Sequence, residues 1–353
     1  MRSSQLGFSV LLLAGLLAAC EERRQAPGPG GGSDSGQAAD SGVAPADSGS
    51  ASDDGSLPGE DSGAAQDAAP GPADGAEASD AADDAGAALA DSGQADAGAP
   101  PTADAGQATR DAGTAAGCGR AGVATGIHGV DTMVNGLQRH YQVFVPASYD
   151  PQVPLRVVFT FHGLGGNGDQ IRSYLSLETE SAGQAIIVYP DGRVVPNIGR
   201  TGWEEADLGF FDAMLSELSR DYCVDLGRVF ATGHSFGGYM TNLVGCQRGD
   251  IVKAVAPVSG GTIGGVCRGP VAAWLAHGDN DPTVPQSEGI AARDQWRQTN
   301  GCGTTTVPTS EPDCLSYEGC PANAPVTWCS FSGGHYPLPA YTRAAIWEFF
   351  RVR

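Results

Sequence analysis

The sequence predicts an α/β fold, a mostly parallel sheet with helices on both faces, within residues 118–353. Two observations predict it. Strand-like runs recur at residues 141–145, 155–161, 185–189, 228–232, 254–258, 272–276 and 326–330, and several are almost continuously apolar. Such runs suit strands covered on both faces. Helical segments lie between them. The clearest places Leu208, Phe211, Leu215, Leu218 and Tyr222 at spacings of three and four, one apolar stripe that reads as a core face and needs no cofactor. Alternating strands and helices imply parallel pairing, and residues 118–353 are numerous enough for a single domain with one large core.

Residues 1–19 read as a secretory signal. Arg2 supplies the positive charge, residues 6–17 are apolar, and Leu17-Ala18-Ala19-Cys20 follows. The run is shorter than the ~20 residues of a membrane-spanning helix. The ending resembles a bacterial lipobox, which implies cleavage before Cys20 and a lipid on its thiol; the plainer alternative is an ordinary signal peptide. Residues 20–117 read as a disordered tether. From residue 21 on, this stretch has no Phe, Trp, Tyr, Ile or Met and holds 19 acidic residues against 3 arginines. Asp-Ser-Gly recurs from Asp34 to Asp91 and Asp-Ala-Gly from Asp84 to Asp111. That composition cannot bury enough apolar surface to offset the entropy of ordering. The spacing is too irregular for a calcium-binding nonapeptide repeat.

The net charge of −21 is therefore mostly that of the tether, since residues 118–353 carry 22 acidic and 16 basic residues. No basic stripe offsets it, which excludes nucleic acid as the expected partner and argues against a polybasic membrane anchor. Contact with a membrane is expected only through a lipid on Cys20, and the protein is expected to be a monomer. Beyond Cys20 there are eight cysteines: Cys118, Cys223, Cys246, Cys267, Cys302, Cys314, Cys320 and Cys329. An even number in an exported domain favours disulfides; the pairing is left open. The last four crowd a Gly-, Pro- and Thr-rich stretch without apolar periodicity, which calls for cross-links. Their spacing does not resemble paired zinc knuckles, and no metal site is expected.

Gly233-His234-Ser235-Phe236-Gly237 matches G-x-S-x-G. The pattern alone is weak in a chain with 52 glycines. Its context, an apolar strand entering and a helix leaving, makes it strong. A serine there turns sharply, stands above the sheet and has a helix N-terminus aimed at the charge its attack creates. Its hydroxyl needs a base. Of six histidines, His335 follows the last strand in Gly333-Gly334-His335 and completes the order Ser…Asp…His. The carboxylate that orients it is Asp281 or Asp279, both just after the strand ending at His277. Asp281 is favoured because Pro282 stiffens the chain behind it; Asp279 then turns or caps the loop. Oxyanion donors are assigned to the backbone amides of Leu164, in the glycine loop after the strand ending at Phe161, and of Phe236. Trp203, His162 and His234 are candidate substrate contacts, with packing of Trp203 on the core as the equal alternative. This chemistry needs no cofactor.

These pieces resemble the α/β-hydrolase fold, and residues 118–353 resemble the secreted feruloyl esterases and the related polyhydroxybutyrate depolymerase-like esterases. The matching stretches include Cys118-Gly119, Phe161-His162-Gly163, Tyr222-Cys223-Val224-Asp225, Thr232-Gly233-His234-Ser235, Asp281-Pro282-Thr283-Val284-Pro285 and Cys314…Tyr317-Glu318-Gly319-Cys320, then Trp328-Cys329 before Gly333-Gly334-His335. The cysteine-rich end favours the feruloyl esterase side. Many relatives carry Trp-Pro after the histidine, where this chain has Tyr336-Pro337. The resemblance implies a triad of Ser235, Asp281 and His335. It implies ester hydrolysis through an acyl-enzyme, the acid a hydroxycinnamate and the alcohol a sugar of xylan. A polyester depolymerase and an acetylxylan esterase are the alternative enzymes. A binding lipoprotein on an inactive hydrolase scaffold is the non-enzymatic one, since fold alone does not settle activity.

Overall fold

The structure is a computed structural model and describes residues 115–262 and 265–353. The expectations for residues 1–19, for Cys20 and for the tether up to residue 114 lie outside the described residues.

All seven apolar runs become strands of one sheet. In chain order its strands are β1 (Gly126–Val134), β2 (Leu137–Val145), β3 (Leu155–Phe161), β4 (Ala185–Pro190), β7 (Val224–His234), β8 (Val252–Val258), β9 (Ala272–Gly278), β10 (Thr306–Pro308), β11 (Cys314–Tyr317) and β12 (Val326–Phe331). A separate hairpin pairs β5 (Arg193–Val195) with β6 (Arg200–Gly202). The ten strands lie in the order β1-β2-β4-β3-β7-β8-β9-β12-β11-β10. Neighbours from β4 to β12 pair in parallel, and the flanking pairs at both ends are antiparallel.

The apolar runs had to be covered twice, and they are. Val157, Phe159 and Phe161 of β3 point into one cluster, which also takes Phe211 and Leu215 from α3 (Leu208–Asp221), Met240 and Val244 from α4 (Phe236–Gln247) and Trp296 from α5 (Gln286–Thr299). Val158 points to the other face. There it meets Ile171 and Leu175 of α1 (Gly168–Leu175), Leu177 of α2 (Leu177–Ser181) and Ile346 and Phe350 of α6 (Thr342–Arg351). The predicted stripe lies in α3, its residues buried, with Tyr222 just past the helix as the capping residue.

Five strands were not expected from the sequence: β1, β5, β6, β10 and β11. In β1 the apolar Ile127 and Met133 face outward while His128 and Thr132 face inward, so no period-two hydrophobicity marks it. All eight cysteines from Cys118 onward form disulfides: Cys118–Cys223, Cys246–Cys267, Cys302–Cys320 and Cys314–Cys329. The last two hold the stretch the sequence marked as needing cross-links, and Cys314 sits directly opposite Cys329 in the β11–β12 ladder.

One buried ion pair fixes the segment between β4 and α3. Arg139 of β2 donates to Asp207 at 2.5 Å and to the Asp191 carbonyl at 3.1 Å, and its guanidinium lies 3.9 Å from the centre of the Phe210 ring. Asp207 also accepts from the Glu204 amide at 2.8 Å, capping the turn into α3. Removing one partner of a buried pair leaves the other charge uncompensated. Asp207→Ala is therefore expected to destabilise the protein by about 3–5 kcal/mol, read from the shift in a urea denaturation midpoint. An unshifted midpoint would mean that Arg139 finds another partner.

Candidate active site

Ser235 lies between β7 and α4, with φ 59° and ψ −123°. A positive φ costs a non-glycine residue of order 1–3 kcal/mol and persists only where the surroundings over-determine it. Here they do. The Ser235 amide donates to Val258 O of β8 at 2.9 Å, and its carbonyl accepts from Gly238 at 2.8 Å and Tyr239 at 3.3 Å. The helix also runs hard against the end of β3. A Cβ on Gly237 would stand 2.0 Å from the Phe161 carbonyl oxygen, and one on Gly233 would stand 2.6 Å from the same atom. Both glycines of the motif are thus demanded by backbone approach.

The structure places Asp281, not Asp279, on His335. His335 Nδ1 donates to Asp281 Oδ2 at 2.6 Å, and both residues are buried. Asp281 Oδ1 accepts the amides of Thr283 and Val284 at 2.8 and 2.9 Å. Burial alone would raise this carboxyl, but the bonds from His335, Val284 and Thr283 outweigh it and hold it below the usual carboxylate range. An ionised Asp281 fixes the His335 proton on Nδ1 and leaves Nε2 able to accept one. His277 Nε2 donates to Val284 O at 2.9 Å and lies 3.5 Å from Asp281 Oδ2, backing the same loop. Asp279 stitches the two loops together instead, accepting from the Gly333 amide at 3.1 Å while the Asn280 amide donates to Gly333 O.

His335 is brought to the serine motif by its own main chain. Its carbonyl accepts from His234 Nε2 at 3.1 Å, and the two rings are 4.6 Å apart. His234 therefore spans from the residue before Ser235 to the histidine loop. The amides of Leu164 and Phe236 donate to no acceptor among the described residues. Leu164 sits inside the turn closed by Gly166 N to Gly163 O, and Phe236 opens α4.

Of the two equal readings of Trp203, the structure shows packing on the core. Its indole is 2 % exposed, packs edge-on against Phe161 and donates to His162 O at 2.8 Å. An apolar ring with one N–H is most stable buried with that N–H satisfied, and the strand end supplies both. His162 is buried with both ring nitrogens engaged, Nδ1 donating to Gly163 O and Nε2 accepting from Gly192 N. It braces the glycine loop, and only an edge of it reaches the cleft.

That cleft has a volume of about 400 Å³ and is bounded by the glycine loop, Tyr174, Arg200, His234 and Tyr336. Tyr336, 60 % exposed, stands where relatives were expected to carry Trp. Its ring lies 5.4 Å from Tyr174, 4.7 Å from His234 and 5.0 Å from His335, so an aromatic rim persists. Sequence reasoning missed Tyr174 and Arg200, which come from a helix and a hairpin that carry no motif.

The ten-stranded, centrally parallel sheet with a serine turn, a buried His–Asp pair and two free amides above its carboxyl edge defines an α/β-hydrolase of the serine esterase class. No protein-family model matches the chain. Feruloyl esterase C of Emericella nidulans is 34% identical over 261 residues, covering 65% of this chain and 94% of that protein. Feruloyl esterase D of Neurospora crassa is 32% identical over 247 residues, covering 63% of this chain and 84% of that one. This chain belongs to the feruloyl esterase family, whose members are carboxylic ester hydrolases. Among solved structures, the acetyl xylan esterase from Aspergillus awamori shares the fold, with a TM-score of 0.51 at 15% identity over 63% of this chain and 99% of that one.

Three buried histidines make the fold sensitive to acid. Burial, reinforced by the nearby His335, pushes His234 down to about 3, and burial lowers His162 and His277. Each holds its proton less well when folded than when unfolded, where it binds one near pH 6.5. The unfolded state thus takes up more protons below that pH, and stability falls as pH drops. His234 alone contributes a loss of about 2 kcal/mol by about pH 5. Asp281, whose pKa is depressed, adds a loss only at lower pH, as the carboxyl protonates. Urea midpoints measured near pH 7.5 and pH 5 are expected to be clearly lower at the acid end. Equal midpoints would contradict neutral burial of these rings.

Proposed function

We propose that the protein is a serine esterase that releases hydroxycinnamic acids from esters on plant cell-wall polysaccharide. The observation that carries this reading is the Ser235 turn beside the His335–Asp281 pair, with His335 anchored through His234. In this reading Ser235 attacks the ester carbonyl while His335 Nε2 takes its proton. Asp281, held by three donors, stabilises the imidazolium so formed. The Leu164 and Phe236 amides receive the oxyanion, in a setting where each donor is worth about 10²–10³ in rate. His335 then protonates the leaving sugar alcohol, and water repeats the sequence to free the acid.

The hydroxycinnamate assignment rests on the relatives named feruloyl esterase and on the cleft, where the Tyr336 and Tyr174 rings offer faces to an aromatic acyl group. Four disulfides suit an oxidising compartment outside the cytoplasm. We read residues 1–19 as a lipoprotein signal, Cys20 as the lipidated residue and residues 20–117 as the tether that holds the domain of residues 118–353 away from the membrane.

Release of ferulate from methyl ferulate tests the reading. Ser235→Ala is expected to lower kcat by about 10⁴-fold or more, and Asp281→Asn by about 10⁴-fold with little change in KM. Activity retained in Ser235→Ala would overturn the nucleophile. Ser235-dependent turnover of acetyl esters with none of methyl ferulate would move the substrate to acetylated xylan. Brisk hydrolysis of a polyhydroxybutyrate film would move it to the polyester.

A further inference from the structure

Arg200 is the one charged side chain on the wall of the cleft among the described residues. It begins β6, opposite Val195 in the two-stranded hairpin. That hairpin is bonded to the glycine loop just past Leu164, the residue the oxyanion reading uses: Gly165 N donates to Thr201 O at 2.7 Å, and Thr201 Oγ1 donates to Gly166 O at 2.8 Å. Arg200 is thereby held over the loop. Its guanidinium lies so close that a Cβ on Gly165, a residue at φ +78°, would stand 2.6 Å from Nη2. Glycine at 165 meets the turn's dihedral and leaves room for the cation.

The charge has no partner among the described residues. The other arginines that are buried or half-buried among the described residues each donate to a carboxylate or a carbonyl; Arg193, on the facing strand, pairs with Glu204 at 3.1 Å. Arg200 makes no side-chain hydrogen bond and no ion pair among the described residues, although it is half-buried in an acidic protein. No carboxylate lines the cleft, and the rings of His162 and His234 there are neutral at physiological pH because burial lowers both. A planar fork of donors left unpaired on the cleft wall is suited to two parallel bonds with a carboxylate.

We propose that Arg200 is a specificity residue that binds a carboxylate carried by the substrate, so that the preferred esters are acidic. On a wall polysaccharide the carboxylate is that of a uronic acid in the alcohol half; the same recognition serves a second carboxyl in the acyl half. The proposal rests on the esterase reading above, and its test separates the two.

The full-length protein and its Arg200→Gln and Arg200→Lys variants are compared on two matched pairs. One is a feruloylated uronic acid glycoside beside the same compound with its carboxylate methylated. The other is methyl para-carboxycinnamate beside its para-carbamoyl analogue. The readout is the ratio of kcat/KM for the charged over the neutral member. The expected result is a ratio that favours the charged ester in one pair and falls about tenfold or more in Arg200→Gln, with Arg200→Lys between. The pair that responds identifies the half that carries the carboxylate. Turnover of the neutral esters with ratios unchanged in Arg200→Gln for both pairs overturns the role of Arg200 and leaves the esterase standing. Absence of turnover on all four esters overturns both.

Discussion

The approach of α4 to the end of β3 is the constraint from which the rest of the site follows. With Phe161 O where it is, residue 237 has no room for a side chain, and Ser235 is driven to a positive φ. The strain is offset by the bond to β8 and by the helix that starts at once behind it. Two consequences are geometric. Helix α4 starts at once after Ser235, and His234 reaches the histidine loop through the His335 carbonyl. A single crowded turn thus distributes three roles in the proposed mechanism to three consecutive residues.

The loops around that turn are made rigid by hydrogen bonds more than by apolar packing. The Asp281 loop and the His335 loop exchange bonds through Asp279, Asn280 and Gly333, and His277 supports the first from behind. The glycine loop is braced by His162 below and by the β5–β6 hairpin above. The hairpin in turn depends on the Arg139–Asp207 pair, which closes the segment that carries it. Polar groups hold the loops in place because loops of this length bury little apolar area, whereas the sheet beneath is stabilised by residues such as Phe159 and Phe211, whose ring centres are 4.6 Å apart.

Much of this was legible in the sequence, for identifiable reasons. Strands covered on both faces announce themselves as apolar runs, so the central sheet was visible from β2 to β12. The serine turn and the Asp281 and His335 loops lie at strand ends, where motif and strand support each other. The edges were silent. β1 mixes polar and apolar residues on both faces, although Asn135-Gly136, both at positive φ, is the hairpin turn that would have revealed it. β10 and β11 are held by disulfides, which leave no periodicity to read. The wall of the cleft was the least legible part. Arg200 and Tyr174 become relevant only through the way a hairpin and a helix fold over the loop, and Trp203, chosen for its aromatic face, turned inward because a buried carbonyl was available to its N–H.

The Cys118–Cys223 bond has a mechanical meaning. Cys118 lies before the first strand, and Cys223 immediately precedes β7, at the centre of the sheet. Ala115 and Gly117 bond to Val224 and Ser219 in the same place. Tension that enters the chain from its N-terminal side therefore passes through the sulfur atoms into the middle of the molecule. It does not peel β1 from β2, the pair at the sheet's edge. A load on Cys118 is carried by a covalent link to the start of a long inner strand, at the end remote from the serine turn.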